Sequence, residues 1–250
     1  VTVNIKLKPT MKTLALSIPL LLMLAAVPGC YEGAPWHGIE GQGPVVERRL
    51  DLDRFEGLTL PGSAKIFLTQ DNLQEVRIEG QENIIDNLNT TISGGIWRIE
   101  NKKPVWRSEP LLIYISMEHL RLVRISGSGN IRTTSRFSDL RDLEIKISGS
   151  GDMDLEIEAN DILAQVSGSG NVILKGSAKD LEFGISGSGN IRAGDLKARK
   201  ANARISGSGE MELFVTDELD AHISGSGNIY YSGNPDTHKN VSGSGHVRSR

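Results

Sequence analysis

The sequence predicts an all-β protein: a right-handed parallel β-helix or β-solenoid with coils of about 19 residues and a divergent N-terminal portion. Three observations carry this expectation. First, the tetrapeptide Ser-Gly-Ser-Gly occurs seven times, beginning at Ser126, Ser148, Ser167, Ser186, Ser206, Ser224 and Ser242, at intervals of 22, 19, 19, 20, 18 and 18 residues. Second, a β-branched aliphatic precedes every copy (Ile125, Ile147, Val166, Ile185, Ile205, Ile223, Val241). An apolar residue also stands two positions after each final glycine (Ile131, Met153, Val172, Ile191, Met211, Ile229, Val247). Third, the flanks alternate with period two, as in Leu143, Ile145 and Ile147 against Glu144 and Lys146, which marks strands with one buried face. A 19-residue unit cannot close a core alone, but stacked in register it buries a continuous apolar ladder.

The elements follow in order along the chain. Residues 1–29 read as an export signal of the lipoprotein type, removed on maturation. Lys6, Lys8 and Lys12 precede an apolar run from Leu14 to Val27, and no acidic residue occurs before Glu32. A run of fourteen residues, apolar but for Ser17 and Pro19, is too short for a spanning helix, which needs about 20. The run ends Val27-Pro28-Gly29-Cys30, which resembles a bacterial lipobox although Pro28 departs from its usual occupant. Cys30 is the only cysteine, so an intrachain disulfide and a cysteine-rich zinc site are both excluded. The expectation is lipidation at Cys30 and anchoring in membrane lipid. Tyr31 is not the aspartate associated with inner-membrane retention, so the outer membrane is favoured. The mature chain keeps 25 basic and 31 acidic residues, a net charge of 25 − 31 = −6. That acidity argues against a nucleic-acid partner.

Residues 30–47 are expected to be the lipidated cysteine and a flexible tether, because Gly33, Gly38, Gly41, Gly43, Pro35 and Pro44 interrupt any period. Residues 48–250 are expected to be one domain, with regular coils over 120–250. In its first half Leu60-Pro61-Gly62-Ser63-Ala64-Lys65-Ile66 lines up as a worn copy of Ile-Ser-Gly-Ser-Gly-Asn-Ile. Strand patterns follow at 65–69, 75–79, 96–100 and 111–116, with a short helix over 83–89.

The repeat corners hold fourteen of the 28 glycines: Gly127, Gly129, Gly149, Gly151, Gly168, Gly170, Gly187, Gly189, Gly207, Gly209, Gly225, Gly227, Gly243 and Gly245. A corner needing positive φ or close backbone approach demands glycine. The serine hydroxyls are expected to bond to backbone or to the next coil.

With the lipobox, the worn unit, the Pro110-Leu-Leu-Ile-Tyr-Ile-Ser segment and serial Ile-Ser-Gly-Ser-Gly-Asn-Ile in view, the chain resembles the bacterial head GIN domain family, whose members are described as auto-transporter adhesins. The resemblance covers about residues 48–250. It implies a secreted or envelope protein with a β-helical body and no established activity.

Chemistry finds little support in the residues. Asn130, Asp152, Asn171, Asn190, Glu210, Asn228 and His246 would stack in one line. Calcium wants six to eight oxygens with carboxylates dominant, so an asparagine ladder is expected instead. His37, His119, His222, His238 and His246 show no metal spacing. Asp152, Asp154, Glu156 and Glu158 read as one solvent face. No catalytic residue, cofactor or metal is expected. The expected function is non-catalytic adhesion, binding or structure in the envelope. The alternative is a carbohydrate-active β-helix enzyme, a polysaccharide lyase or hydrolase, which would need two carboxylates about 5–9 Å apart in a cleft. Trp97, Trp106, Tyr230 and Tyr231 could stack on sugars if exposed, and core packing is the expectation for Trp97. Expected partners are a surface glycan, an envelope protein or a second copy. The C-terminal coil, blunted only by Lys239, Arg248 and Arg250, is the expected contact surface.

Overall fold

The computed structural model describes residues 38–250. The export signal, Cys30 and the first part of the expected tether lie outside the described residues. Within them, parallel strands stack coil upon coil, and the two apolar lines read from the sequence are the interior. One runs Leu60, Ile125, Ile147, Val166, Ile185, Ile205, Ile223, Val241. The other runs Ile66, Ile131, Met153, Val172, Ile191, Met211, Ile229, Val247. The worn unit falls into register where the sequence places it: Leu60 opposes Ile125, Lys65 opposes Asn130 and Ile66 opposes Ile131.

A third interior line shows how the core is filled. Ile145, Ala164, Phe183, Ala203 and Ala221 follow one another through successive coils. The large Phe183 ring is flanked by two alanines, and all five are fully buried. Alternating large and small side chains keep native packing density without strain.

The unequal repeat lengths are absorbed away from the corners. The first interval exceeds the second by 22 − 19 = 3 residues. These extra residues are taken up between Arg132 and Leu140, where the pairing register shifts and Asp139 takes a left-handed φ of 57°. The longer and shorter coils that follow shift register between Ile173 and Lys175 and between Ala193 and Lys200. A one-residue slip in a strand would turn every core residue to solvent, so length variation is confined to the turn between the two strands of a coil.

The N-terminal end is closed by strands of opposite sense. Val45–Leu50 pairs antiparallel with Glu75–Gln81, which pairs antiparallel with Leu112–Met117. The helix covers Glu82–Asp86 and buries Ile84 and Ile85. The folded body therefore begins earlier than residue 48. Ile39–Glu40 and Val45–Leu50 are strands, and the expected tether is shorter by those residues. Val46, Arg48 and Leu50 alternate inward over only one strand, too short a period to stand out among flanking glycines and prolines.

The corners are ladders made by backbone. The Gly168 carbonyl accepts from Ser188 N–H (3.0 Å) and Gly189 N–H (2.9 Å), and Gly207 does the same for Ser226 and Gly227. A Cβ on Gly187 would stand 2.6 Å from the Gly168 oxygen, so the coils approach too closely for any side chain. Left-handed φ is confined to the first glycine of the later corners, at Gly187, Gly207, Gly225 and Gly243. In the earlier corners close approach alone demands glycine. The corner serines are exposed.

At the C-terminal end Val241 is 40% exposed, unlike the buried residues it continues. Lys239 takes the register position of core Ala221. Its ammonium lies 5.0 Å from the Tyr231 ring and 3.4 Å from the Val247 carbonyl, so a charge crosses the last coil. A charge at an inward position discourages strand addition.

Candidate functional site

Outward-facing positions also stack into lines, and each line has its own chemistry. The line directly after the corners is an amide ladder. Asn130 Nδ2 donates to Asp152 (3.4 Å), Asn171 Nδ2 donates to Asp152 (2.8 Å) and Asn190 Nδ2 donates to Asn171 (2.8 Å). Asn190 Oδ1 then accepts from the Glu210 backbone (3.1 Å). Side-chain amides thus bond across coils from Asn130 to Glu210, through the Asp152 carboxylate. Among the described residues no group of three or more His, Cys, Asp or Glu is placed to hold a metal ion.

Of the acids read as one solvent face, Asp152, Asp154 and Glu156 are engaged by neighbours in adjacent coils. Glu156 pairs with Arg136 at 2.7 Å and Asp154 with Lys175 at 3.6 Å, while Asp152 belongs to the amide ladder. A different row brings carboxylates together. Asp142, Asp161 and Asp180 succeed one another in register, and Lys200 follows; Asp161, Asp180 and Lys200 line a concavity of about 420 Å³. Burial, then the Asp180 and Asp142 carboxylates, push the Asp161 carboxyl above its ordinary range. Lys200 turns instead to Glu218 (2.8 Å), which lowers the Glu218 carboxyl.

Two residues before each corner lies another line: Lys146, Gln165, Gly184, Arg204, His222, Asn240. Beside it run the first serines of the corners. Between Gln165 and Ser242 these two lines wall a groove of about 590 Å³ along the solenoid axis, floored by the edges of Val166, Ile185, Ile205 and Ile223. Gly184 opens it: a Cβ there would meet only Gln165 Cγ, at 3.9 Å. Arg204, His222 and Asn240 are exposed along the wall. The fixed offset from the corner could have identified this line from the sequence. The concavity could not, because it follows from the curvature at the corner.

The capped end separates the two tryptophans. Trp97 is fully buried, packs on Phe55 (centroids 5.7 Å apart) and donates from Nε1 to the Asn89 carbonyl at 2.9 Å. Trp106 is 70% exposed. It borders a cleft of about 770 Å³ under the worn corner, with Lys65, Arg107 and Glu109 at its mouth. Its strand, Val105–Arg107, pairs in parallel with Ile39–Glu40. Tyr230 and Tyr231 are half-buried and covered by Arg250 (4.3 Å) and Lys239. Lys102, Lys103 and Arg107 are functional candidates that the sequence reading passed over, although Lys-Lys-Pro-Val-Trp-Arg is a visible basic and aromatic run.

The family described as "Putative auto-transporter adhesin, head GIN domain" matches residues 54–235. The chain belongs to the head GIN domain family. Solved structures share the fold of this chain over 85% of its length. A putative adhesin from Bacteroides fragilis NCTC 9343 is 23% identical with a TM-score of 0.79, over 85% of this chain and 100% of the other. A putative lipid binding protein from Parabacteroides distasonis ATCC 8503 is 27% identical with a TM-score of 0.72, over 85% and 99%. A putative adhesin from Parabacteroides merdae ATCC 43184 is 22% identical with a TM-score of 0.69, over 85% and 99%. No curated protein matches the chain. Among the described residues of this head GIN protein, no helix is long and apolar enough to cross a membrane.

Proposed function

We propose that this protein is a non-catalytic adhesin of the bacterial envelope, exported and held in the outer membrane by lipid on Cys30. On this reading it binds an extended glycan along the axial groove. The observation that carries the reading is the groove wall. Serine hydroxyls repeat there at the coil spacing of about 4.8 Å, beside Gln165, Arg204, His222 and Asn240, and suit a polymer whose own hydroxyls repeat. The family description and the adhesin names of two relatives support binding over catalysis. Engaged acids, bonded to basic and amide neighbours, support it as well.

Two substitutions test the two halves. Cys30→Ala should abolish acyl labelling and move the protein from the membrane fraction to the soluble one; unchanged labelling refutes the anchor. Gly184→Phe places a ring in open groove space at a strand position without positive φ, so the fold should keep its melting temperature. On an array of bacterial and host glycans the wild type should bind and the variant should not. Equal binding by both, or none by the wild type, refutes the groove as a glycan site.

A further inference from the structure

The proposed anchor lies close in sequence to the start of the folded body. Gly38 lies eight positions after Cys30, and eight extended residues reach at most about 28 Å. The chain then enters the body against one strand. Ile39 N–H donates to the Pro104 carbonyl (2.8 Å) and Gly41 N–H to the Arg107 carbonyl (2.7 Å). Gly38 packs on Trp106 so closely that a Cβ there would stand 3.1 Å from Trp106 Cβ. The strand that receives the chain from the anchor is thus the one that exposes Trp106.

That strand closes a basic segment. Lys102, Lys103, Trp106 and Arg107 are all exposed, and no acidic residue occurs from Asn101 to Ser108. Along the chain the nearest acids are Glu100, which pairs with Arg98, and Glu109; across the strand pair Glu40 stands in register with Arg107. The Lys102 ammonium rests on the Asp86 carbonyl (3.2 Å), while the Asp86 carboxylate is taken by Arg48 (2.5 Å). Among the described residues Lys103 and Arg107 have no carboxylate partner, although surface cations such as Arg136, Arg199 and Lys200 pair across the solenoid. Three exposed cations within four residues of an exposed indole along the chain, in an otherwise acidic protein, complement an anionic lipid surface. Indole rings favour the headgroup layer, and each basic side chain near an anionic leaflet strengthens binding several-fold.

We propose that residues 102–107 form a membrane-contacting patch: Trp106 sits in the headgroup layer, Lys102, Lys103 and Arg107 engage anionic phospholipid, and the capped end faces the bilayer. The later coils and their groove then point away from it. This rests on lipidation at Cys30.

The test uses the full acylated protein, carrying Trp36→Phe so that Trp97 and Trp106 are the remaining indoles. It is reconstituted in vesicles of phosphatidylethanolamine and phosphatidylglycerol containing brominated phospholipid. Trp106 emission should be quenched, buried Trp97 should not, and Trp106→Phe should remove the quenching. K102E/K103E/R107E should reduce it about tenfold or restore acrylamide access to Trp106, as should high salt. Mass analysis of Cys30 separates the two readings. An acylated Cys30 with Trp106 unquenched and open to acrylamide overturns the patch alone. An unmodified Cys30 overturns the anchor and the patch together.

Discussion

Replacing Gly187 by valine tests the stacked corner directly. Gly187 has φ +141°, and a Cβ there would lie 2.6 Å from the Gly168 oxygen and 3.2 Å from its nitrogen. A side chain at such a φ costs about 1–3 kcal/mol. Moving the Gly168 carbonyl also weakens its two bonds to Ser188 and Gly189, at roughly 0.5–1.5 kcal/mol each. The sum is about 2–6 kcal/mol. In a domain of 150–250 residues 1 kcal/mol shifts Tm by about 2–4 °C, so Gly187→Val should lower Tm by about 5–20 °C in thermal unfolding followed by circular dichroism. Ser186→Ala, at an exposed hydroxyl in the same corner, should stay within about 2 °C of the wild type. Gly168→Ala separates the causes, because Gly168 lacks positive φ yet its Cβ would stand 2.5 Å from the Gly149 oxygen. It should fall between the two. If Gly187→Val and Ser186→Ala unfold within 2 °C of each other, the corners are not close-packed ladders and the reasoning fails.

Phe183→Ala empties the widest place in the alanine-flanked core line and should cost about 3–5 kcal/mol, read as a lower urea midpoint with an unchanged m-value. Asn171→Asp sets a carboxylate against Asp152 where an amide now donates; it should lower Tm by a few degrees at pH 7 and recover below pH 4. Asp161 already carries the kind of carboxylate repulsion that Asn171→Asp would introduce. Its folded pKa lies above its unfolded value, so the fold binds the proton more tightly and this group's contribution to stability falls as pH rises through the folded pKa. Asp161→Asn removes a cross-strand repulsion worth roughly 0.2–1 kcal/mol. It should therefore raise Tm by about 1–3 °C at pH 7, a gain that vanishes below about pH 3.9.

The fold class and the core were legible in the sequence because both are periodic. A Ser-Gly-Ser-Gly corner recurs at nearly constant spacing, and flanking positions such as Ile125 and Ile131 can face only inward once the coils stack. The worn corner at Pro61–Ala64 was found by the same alignment, and its register agrees residue for residue. The amide ladder followed from Asn171 and Asn190 holding one repeat position. What alternation leaves open, tertiary structure decided. Every outward line satisfies period two equally, so only the tertiary structure shows that the Gln165-to-Asn240 line borders one groove and that Asp161 and Asp180 border another. The sequence shows that Gly168 and Gly187 share a role, but not that Gly187 alone takes left-handed φ, because that depends on how each coil settles on the one below. Trp97 and Trp106 both sit in short strands; one fills the cap against Phe55 and the other is left exposed, a difference set by neighbours more than 40 residues away for Trp97. The same holds for the capped end, where Ile39 and Val105 meet across the chain. Local pattern carries no trace of that pairing, because its free energy comes from a strand partner that only folding supplies.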